Sequence, residues 1–348
     1  MRIFKGMGDY FALDIGTKAI RVVQLTPQGD DSWSLLHAGY MAVDPKIIAS
    51  DSDESRKKLG QAIKSAVVQA GISATNCVIG IESSRSFVTM IQLPKMTDSE
   101  RSSILKYQSD KYIPIPVDDA KIDWVVLGDS PDNPQQDEVM LASVTQDYIE
   151  GLVDMIDSLG FNVIAVEPNS ISMLRAALAA NSTSTNMVIN VGERSTDVVI
   201  AIGSSPRLVR TLPIGLQSFV RTISQGLNVK DDQAQQFLLK FGLEKTRLDG
   251  QVYSTLIPAI DGFVSDLKKS VSFLESRYSN LKIDSILAMG FAATIPLFSE
   301  YISDNTGIPV QITNPWQKVR VPDSERASMA AVEYEYATAV GLAQRVEK

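Results

Sequence analysis

Two stretches of this chain repeat one pattern, a strand-like run, a glycine turn and a second strand-like run. The first is Phe11-Ala12-Leu13-Asp14-Ile15-Gly16-Thr17-Lys18-Ala19-Ile20-Arg21-Val22-Val23-Gln24-Leu25. About 175 positions further on comes Met187-Val188-Ile189-Asn190-Val191-Gly192-Glu193-Arg194-Ser195-Thr196-Asp197-Val198-Val199-Ile200. At the first turn Gly16 permits a tight reversal in which backbone N–H groups face a phosphate. Thr17 and Lys18 can bind its oxygens, and Asp14 can hold the water shell of Mg²⁺. Two such hairpins suit halves that close on opposite sides of a polyphosphate. An Asp-x-Gly-Thr turn also occurs in ordinary hairpins, so the weight lies on what stands between the repeats.

Composition removes several classes of chemistry. With 348 residues, 44% of them hydrophobic, the chain can bury large cores and is expected to form two or more subdomains. A formal net charge of −8 argues against binding nucleic acid, which needs a basic surface. The start, Met1 to Asp9, has no apolar signal region, and no later run approaches the ~18 uninterrupted apolar residues of a membrane span, so a cytoplasmic protein is expected. A single cysteine, Cys77, and a single histidine, His37, exclude a disulfide framework and a Cys/His zinc site. His37 sits in a strand-like run with no Gly-x-Ser-x-Gly elsewhere to serve and reads as structural. Cys77, ahead of Val78-Ile79-Gly80-Ile81, reads as a buried strand residue.

Between the hairpins, punctuation and period mark the elements. Residues 32–43 form another strand; Asp51 to Ser55 opens a helix to about residue 70, closed by Gly71; Asn76 to Ile81 is a strand. From Ser86 a second module is expected: strand 87–93, a capping box at Thr97-Asp98-Ser99-Glu100, and a helix that must stop by Ile113 because of Pro114 and Pro116. Strands 121–127 and 138–144, a helix 146–158 and a strand 162–166 complete it, an α+β insertion of roughly 80 residues. Glu167-Pro168 then ends a strand and enters a helix, placing Glu167 at a strand tip. A helix spans about 231–241. A longer one, about 254–278, carries Leu256, Ile260, Phe263, Val264, Leu267, Val271 and Leu274 as a core face, with Pro258 expected in its first turn. Ile286 to Ala293 is a strand running into a turn, and Ala337 to Ala343 a small-residue helix.

The order of these parts resembles the superfamily of actin, hexokinase and heat-shock chaperone ATPases, over nearly the whole chain. Asp14 to Lys18 matches its first phosphate loop, Glu167 to Ala176 its first connecting helix and Asn190 to Asp197 its second phosphate loop. Gly290 to Ala293 matches the adenosine motif and Ala337 to Ala343 the second connecting helix. Within that superfamily the chain most resembles the PilM family of type IV pilus assembly proteins. Lys106-Tyr107-Gln108 followed by Tyr112-Ile113-Pro114 is similar to its "E-A-x-x-Y-I-P" segment, and Ala339-Val340-Gly341-Leu342-Ala343 to its "A-x-G-L-A" helix. The insertion is shared with FtsA, but no C-terminal amphipathic anchor of the FtsA kind is expected from Gln344 to Lys348.

The resemblance implies an α/β fold, actin-like (ribonuclease H-like) and two-lobed, with the inserted α+β subdomain. It implies a subdomain 1A of residues 1–85 with 167–182 and 336–348, and an insertion 1C at 86–166. Subdomain 2A would hold 183–213 and 283–335, and 2B would hold 214–282. It also implies ATP or ADP with Mg²⁺ at Asp14, Gly16, Thr17, Lys18, Asn190, Gly192, Ser195, Thr196, Gln235, Gly290 and Ala292. Asp14 would hold the metal through water, and Asp14 and Glu167 would be the catalytic pair. Three positions depart from the family pattern: Asn190 replaces an aspartate, Phe291 replaces a glycine, and Leu238 stands where a lysine contacts the nucleotide. Hydrolysis is therefore expected to be slow or absent. The implied role is a cytoplasmic assembly platform, peripheral to the inner membrane through its partners. It would bind the N-terminal cytoplasmic tail of a PilN-type membrane protein between 1A and the insertion, and could self-associate. The competing readings are a sugar or acetate kinase of the same superfamily and an FtsA- or MreB-like filament former.

Overall fold

In the computed structural model, which describes residues 9–29, 31–278 and 281–346, the chain divides into two compact units. The first takes the described residues up to Ala176, then Trp316–Ala331, then those from Thr338 onward; the second takes Ala177–Pro315 and Val332–Ala337.

The first unit begins with β1 (Tyr10–Ile15), β2 (Ala19–Gly29), β3 (Ser32–Ala42), the short α1 (Pro45–Ile48), α2 (Asp53–Gln69) and β4 (Asn76–Ile81). β1, β2 and β3 are antiparallel neighbours, whereas β4 runs parallel to β1. Alternation along the strands decides which face is covered. Phe11, Leu13, Ile20, Val22, Cys77 and Ile79 pack on Ile63, Ala66 and Val67 of α2. Asp14 and Arg21 therefore lie on the opposite face. Ser52 caps α2 by accepting from the Ser55 amide, and Gly71, at φ +72°, ends it as its spacing predicts.

Next come β5 (Ser86–Pro94), α3 (Asp98–Gln108), β6 (Ala120–Asp129) and β7 (Gln136–Thr145), where β5 and β6 flank β7 in an antiparallel sheet of their own. Its core is Ile91, Leu93, Leu105, Ile113, Val139 and Leu141. The capping box forms as expected: Glu100 accepts from the Thr97 amide at 2.9 Å, and Thr97 accepts from the Glu100 amide at 3.4 Å. The insertion is shorter than the sequence suggests. α4 (Gln146–Ser158) sends Leu152 and Ile156 into the core under α2, and β8 (Asn162–Pro168) pairs in parallel with β4 in the first sheet. A strand's identity is local, but the sheet that it joins is not.

α5 (Asn169–Ala177) leads out of the first unit. The second unit holds β9 (Thr185–Val191), β10 (Thr196–Ile202), β11 (Ser205–Leu212), α6 (Leu216–Leu227), α7 (Asp231–Phe241), α8 (Gln251–Arg277), β12 (Ser285–Gly290), α9 (Phe298–Thr306) and β13 (Val310–Ile312). The chain then adds β14 (Val319–Arg320) and α10 (Asp323–Met329) to the first unit, and α11 (Ala337–Ala343) follows. The two main sheets share one topology. β3-β2-β1-β4-β8 in the first is matched by β11-β10-β9-β12-β13 in the second, each with an antiparallel hairpin and parallel strands beyond it. Residues 316–331, expected in the second lobe, belong to the first because β14 pairs with the outer edge of β3.

α8 buries Leu256, Ile260, Phe263, Val264, Leu267 and Leu274 as its spacing predicts. It begins at Gln251, however, so Pro258 lies inside the helix rather than in its first turn. Among the described residues no helix is long and apolar enough to cross a membrane.

Two glycines mark opposite packing limits. A Cβ on Gly341 of α11 would meet the Ser172 carbonyl oxygen of α5, whereas one on Gly262 of α8 would meet nothing within 4 Å. Gly341→Ala should lower unfolding free energy by about 3 kcal/mol in urea titrations, because backbone cannot yield. Gly262→Ala should raise it by about 0.5–1 kcal/mol, since an exposed helical glycine only adds unfolded-state entropy.

Candidate functional site

The two glycine hairpins have the same hydrogen-bond closure. The Gly16 amide donates to the Ala19 carbonyl at 3.0 Å, and the Gly192 amide to the Ser195 carbonyl at 2.9 Å. Neither glycine has a positive φ. What each turn requires is space: a Cβ on Gly16 would lie 2.6 Å from the Arg21 guanidinium, and one on Gly192 would lie 2.9 Å from the Ser195 carbonyl oxygen. The reversal predicted for Gly16 is present, but close approach rather than backbone handedness demands the glycine. The Lys18 carbonyl accepts from the Val43 amide at 2.9 Å, which holds the first turn to the end of β3.

Register sets the first site in a row. Across β3, β2, β1, β4 and β8 lie Tyr40, Arg21, Asp14, Gly80 and Glu167 as successive partners. Asp14 and Glu167 thus stand two strands apart, about 10 Å along the sheet. Both are buried. Asp14 accepts from Arg21 at 3.3 Å, and the Arg21 guanidinium lies over the Tyr40 ring, 5.4 Å from its centroid. Arg21, which sequence reasoning did not single out, is itself only 7% exposed. Its signal was a lone charge inside the apolar run Ala19 to Val23.

Glu167 is held more firmly still. Arg175 of α5 donates to both of its carboxylate oxygens, at 2.8 and 2.9 Å, and Arg345 donates to Oε2 at 2.7 Å. Arg175 also reaches the Gly341 carbonyl, while the Tyr10 hydroxyl donates toward the Leu342, Ala343 and Arg345 carbonyls. Burial pushes the Tyr10 hydroxyl well above its ordinary pKa. This network fastens α11 to α5 and the sheet end, with Gly80 making room: a Cβ there would meet Asn169 at 2.3 Å and Leu342 at 3.0 Å.

In the second unit, Asn190 pairs in register with Asp197 on β10 and Met289 on β12. A Cβ on Gly290, whose φ is +68°, would lie 2.5 Å from the Asn190 side-chain oxygen, so Asn190 and the adenosine-motif glycine are packed together. Thr196 is fully buried and donates its hydroxyl to the Ile214 carbonyl at 2.7 Å. The Leu216 and Gln217 amides at the start of α6 donate to the Gly192 and Glu193 carbonyls, so the loop caps that helix. Ala292 and Phe291 are both buried, and the Phe291 ring packs at a tilt of 59° against Tyr334 with centroids 5.2 Å apart. Gln235 is half-buried on α7, while Ala234 and Leu238 face the core; Leu238 is therefore a packing residue.

A pocket that sequence reasoning left without residues opens in the first unit between α1, α2 and α4. Ile48, Leu59, Leu152 and Met155 supply apolar walls, while Arg56, Asp51, Glu82 and Arg85 stand among its lining. Arg85 donates to Asp51 at 3.2 Å and lies over the Tyr148 ring. Cys77, fully buried in β4, has its thiol pushed up to about 12 by burial and is no nucleophile. His37 sits in β3 beside Gly71.

Comparison with known proteins places this geometry. The chain is similar to a solved PilM-PilN type IV pilus biogenesis complex at 21% identity, covering 96% of this chain and 97% of that one, with a TM-score of 0.80. It is similar also to MreB5 of Spiroplasma citri bound to ADP (11% identity, 96% and 95% covered, TM-score 0.55). A third likeness is to the ethanolamine utilization protein EutJ from Carboxydothermus hydrogenoformans (13%, 96% and 88%, 0.52). These likenesses give the actin-like fold. The model of the family described as type IV pilus assembly protein PilM matches residues 12–347, almost the whole chain; the chain belongs to the PilM family.

Proposed function

We propose that this protein is an actin-like assembly platform of the type IV pilus inner-membrane complex, docking the N-terminal cytoplasmic tail of a PilN-type membrane protein. The observation that carries the docking site is the pocket between α1, α2 and α4, with apolar walls and charged residues among its lining. Such a site suits an extended peptide that buries an aliphatic side chain while its main chain meets polar groups. Membrane association then comes through the partner. The same reading is favoured over a kinase because Glu167, the second catalytic candidate, has both carboxylate oxygens engaged by arginines.

In a titration with the N-terminal peptide of the PilN-type protein, binding should be micromolar and should survive high salt, since apolar burial rather than charge pairing drives it. Met155→Glu should weaken it by about tenfold or more by setting a carboxylate against the apolar wall. Binding that is unchanged in this variant would move the docking site elsewhere.

The nucleotide reading is narrower. The phosphate chemistry of Gly16, Thr17 and Lys18 fits a phosphate of ATP or ADP, while Phe291 and Leu238 on the second unit do not match an adenosine cradle. If the hairpin holds phosphate, Lys18→Ala should weaken ATP binding measured by calorimetry by about 1–3 kcal/mol, the scale of a charge-assisted contact. Phosphate release should be slow or absent, and Asn190→Asp alone should not restore it while Phe291 and Leu238 remain. Robust release by the unmodified chain would contradict the assignment.

A further inference from the structure

The carboxylate of Asp14 is the residue from which a hydrated Mg²⁺ would be held, and the structure gives it another cation. Arg21 stands directly across the hairpin from Asp14, donates to its Oδ2 at 3.3 Å and is almost wholly buried with it, their side chains being 8% and 5% exposed. The guanidinium has a further contact, and its place depends on a glycine. It lies over the Tyr40 ring and fills the space that a side chain at position 16 would take, 2.6 Å from where a Cβ would be. A metal drawing its water shell onto Asp14 would have to take the carboxylate from a guanidinium that has little water to turn to, and stripping a buried charge of its partner is strongly unfavourable. At the matching position of the second hairpin, Asn190 offers no charge. Its cross-strand neighbour Asp197 accepts from the Thr211 hydroxyl at 2.9 Å. Mg²⁺ therefore does not fit the first hairpin as this chain builds it.

We propose that Arg21 is the built-in cation of the first phosphate loop, excluding a divalent ion from Asp14 and leaving any anion at Gly16-Thr17-Lys18 to bind without metal. The exclusion is a property of the pair itself; only the second half of the statement rests on the nucleotide reading above.

The test uses the full chain with Mn²⁺ alone as probe, followed by electron paramagnetic resonance at low millimolar ion. The unmodified protein should bind no Mn²⁺ at Asp14. Arg21→Gln should gain one site, which the added change Asp14→Asn removes, and Arg21→Lys, which keeps a cation in place, should gain none. A Mn²⁺ site in the unmodified protein that Asp14→Asn abolishes would overturn the proposal. So would a folded Arg21→Gln variant, checked by its melting curve, that gains no site, because Arg21 would then not be what keeps the metal out. In a second arm a fluorescent ATP analogue is titrated in EDTA and in Mg²⁺. The unmodified chain should bind equally in both, to within about threefold, and Arg21→Gln should lose about tenfold in EDTA alone. Tight binding by the unmodified chain only with Mg²⁺ overturns the proposal. An absence of binding in both media removes the nucleotide reading, and the Mn²⁺ arm still decides the exclusion.

Discussion

The first unit depends on a backbone-to-backbone contact. α11 can lie against α5 only because Gly341 presents no side chain to the Ser172 carbonyl, and both helices reach the sheet end because Gly80 leaves room for Asn169 and Leu342. At this crossing little can be adjusted, since backbone atoms rather than rotamers meet. The charged network around Glu167 follows from it. Arg175 of α5 and Arg345, two residues past the end of α11, converge on one carboxylate because this crossing has already brought the two helices together. The same arginines thus serve as fasteners, and a carboxylate that in a hydrolase would face water is here turned to architecture.

Much of this was legible in the sequence where the signal was local. The capping box at Thr97, the Gly71 helix stop, the apolar face of α8 and the paired hairpins all follow from residues within a turn or two of one another. What failed was sheet membership. β8 reads as a strand in either module, and only its parallel pairing with β4, set by a partner far along the chain, draws it and α4 into the first core. β14 misleads for the same reason. The pocket between α1, α2 and α4 could not be read at all, because its walls come from three separate segments.

At the site itself the sequence singled out Asp14, Gly16 and Glu167 but assigned their chemistry from the residue types alone, without their partners. Partners changed that assignment. Asp14 is bound to Arg21, Thr196 to a backbone carbonyl, and Glu167 to two guanidinium groups. Each is a polar side chain carried into low dielectric, where leaving it unmatched is costly, and the match was supplied by a cross-strand or cross-helix neighbour that no spacing rule reveals.

The interrupted path of the chain has a consequence for biogenesis. The second unit's sheet, β9 to β13, is complete within one continuous stretch, and its only later piece is Val332–Ala337. The first unit is not: β3 receives β14, and Tyr10 receives its carbonyl partners, from residues more than 280 positions later. As the chain leaves the ribosome, the outer edge of β3 therefore stays uncovered until Val319 and Arg320 have emerged, exposed meanwhile to pairing with a stray strand. The walls of the pocket between α1, α2 and α4, by contrast, all lie before residue 156. The pocket can therefore be complete while β3 still lacks its outer neighbour.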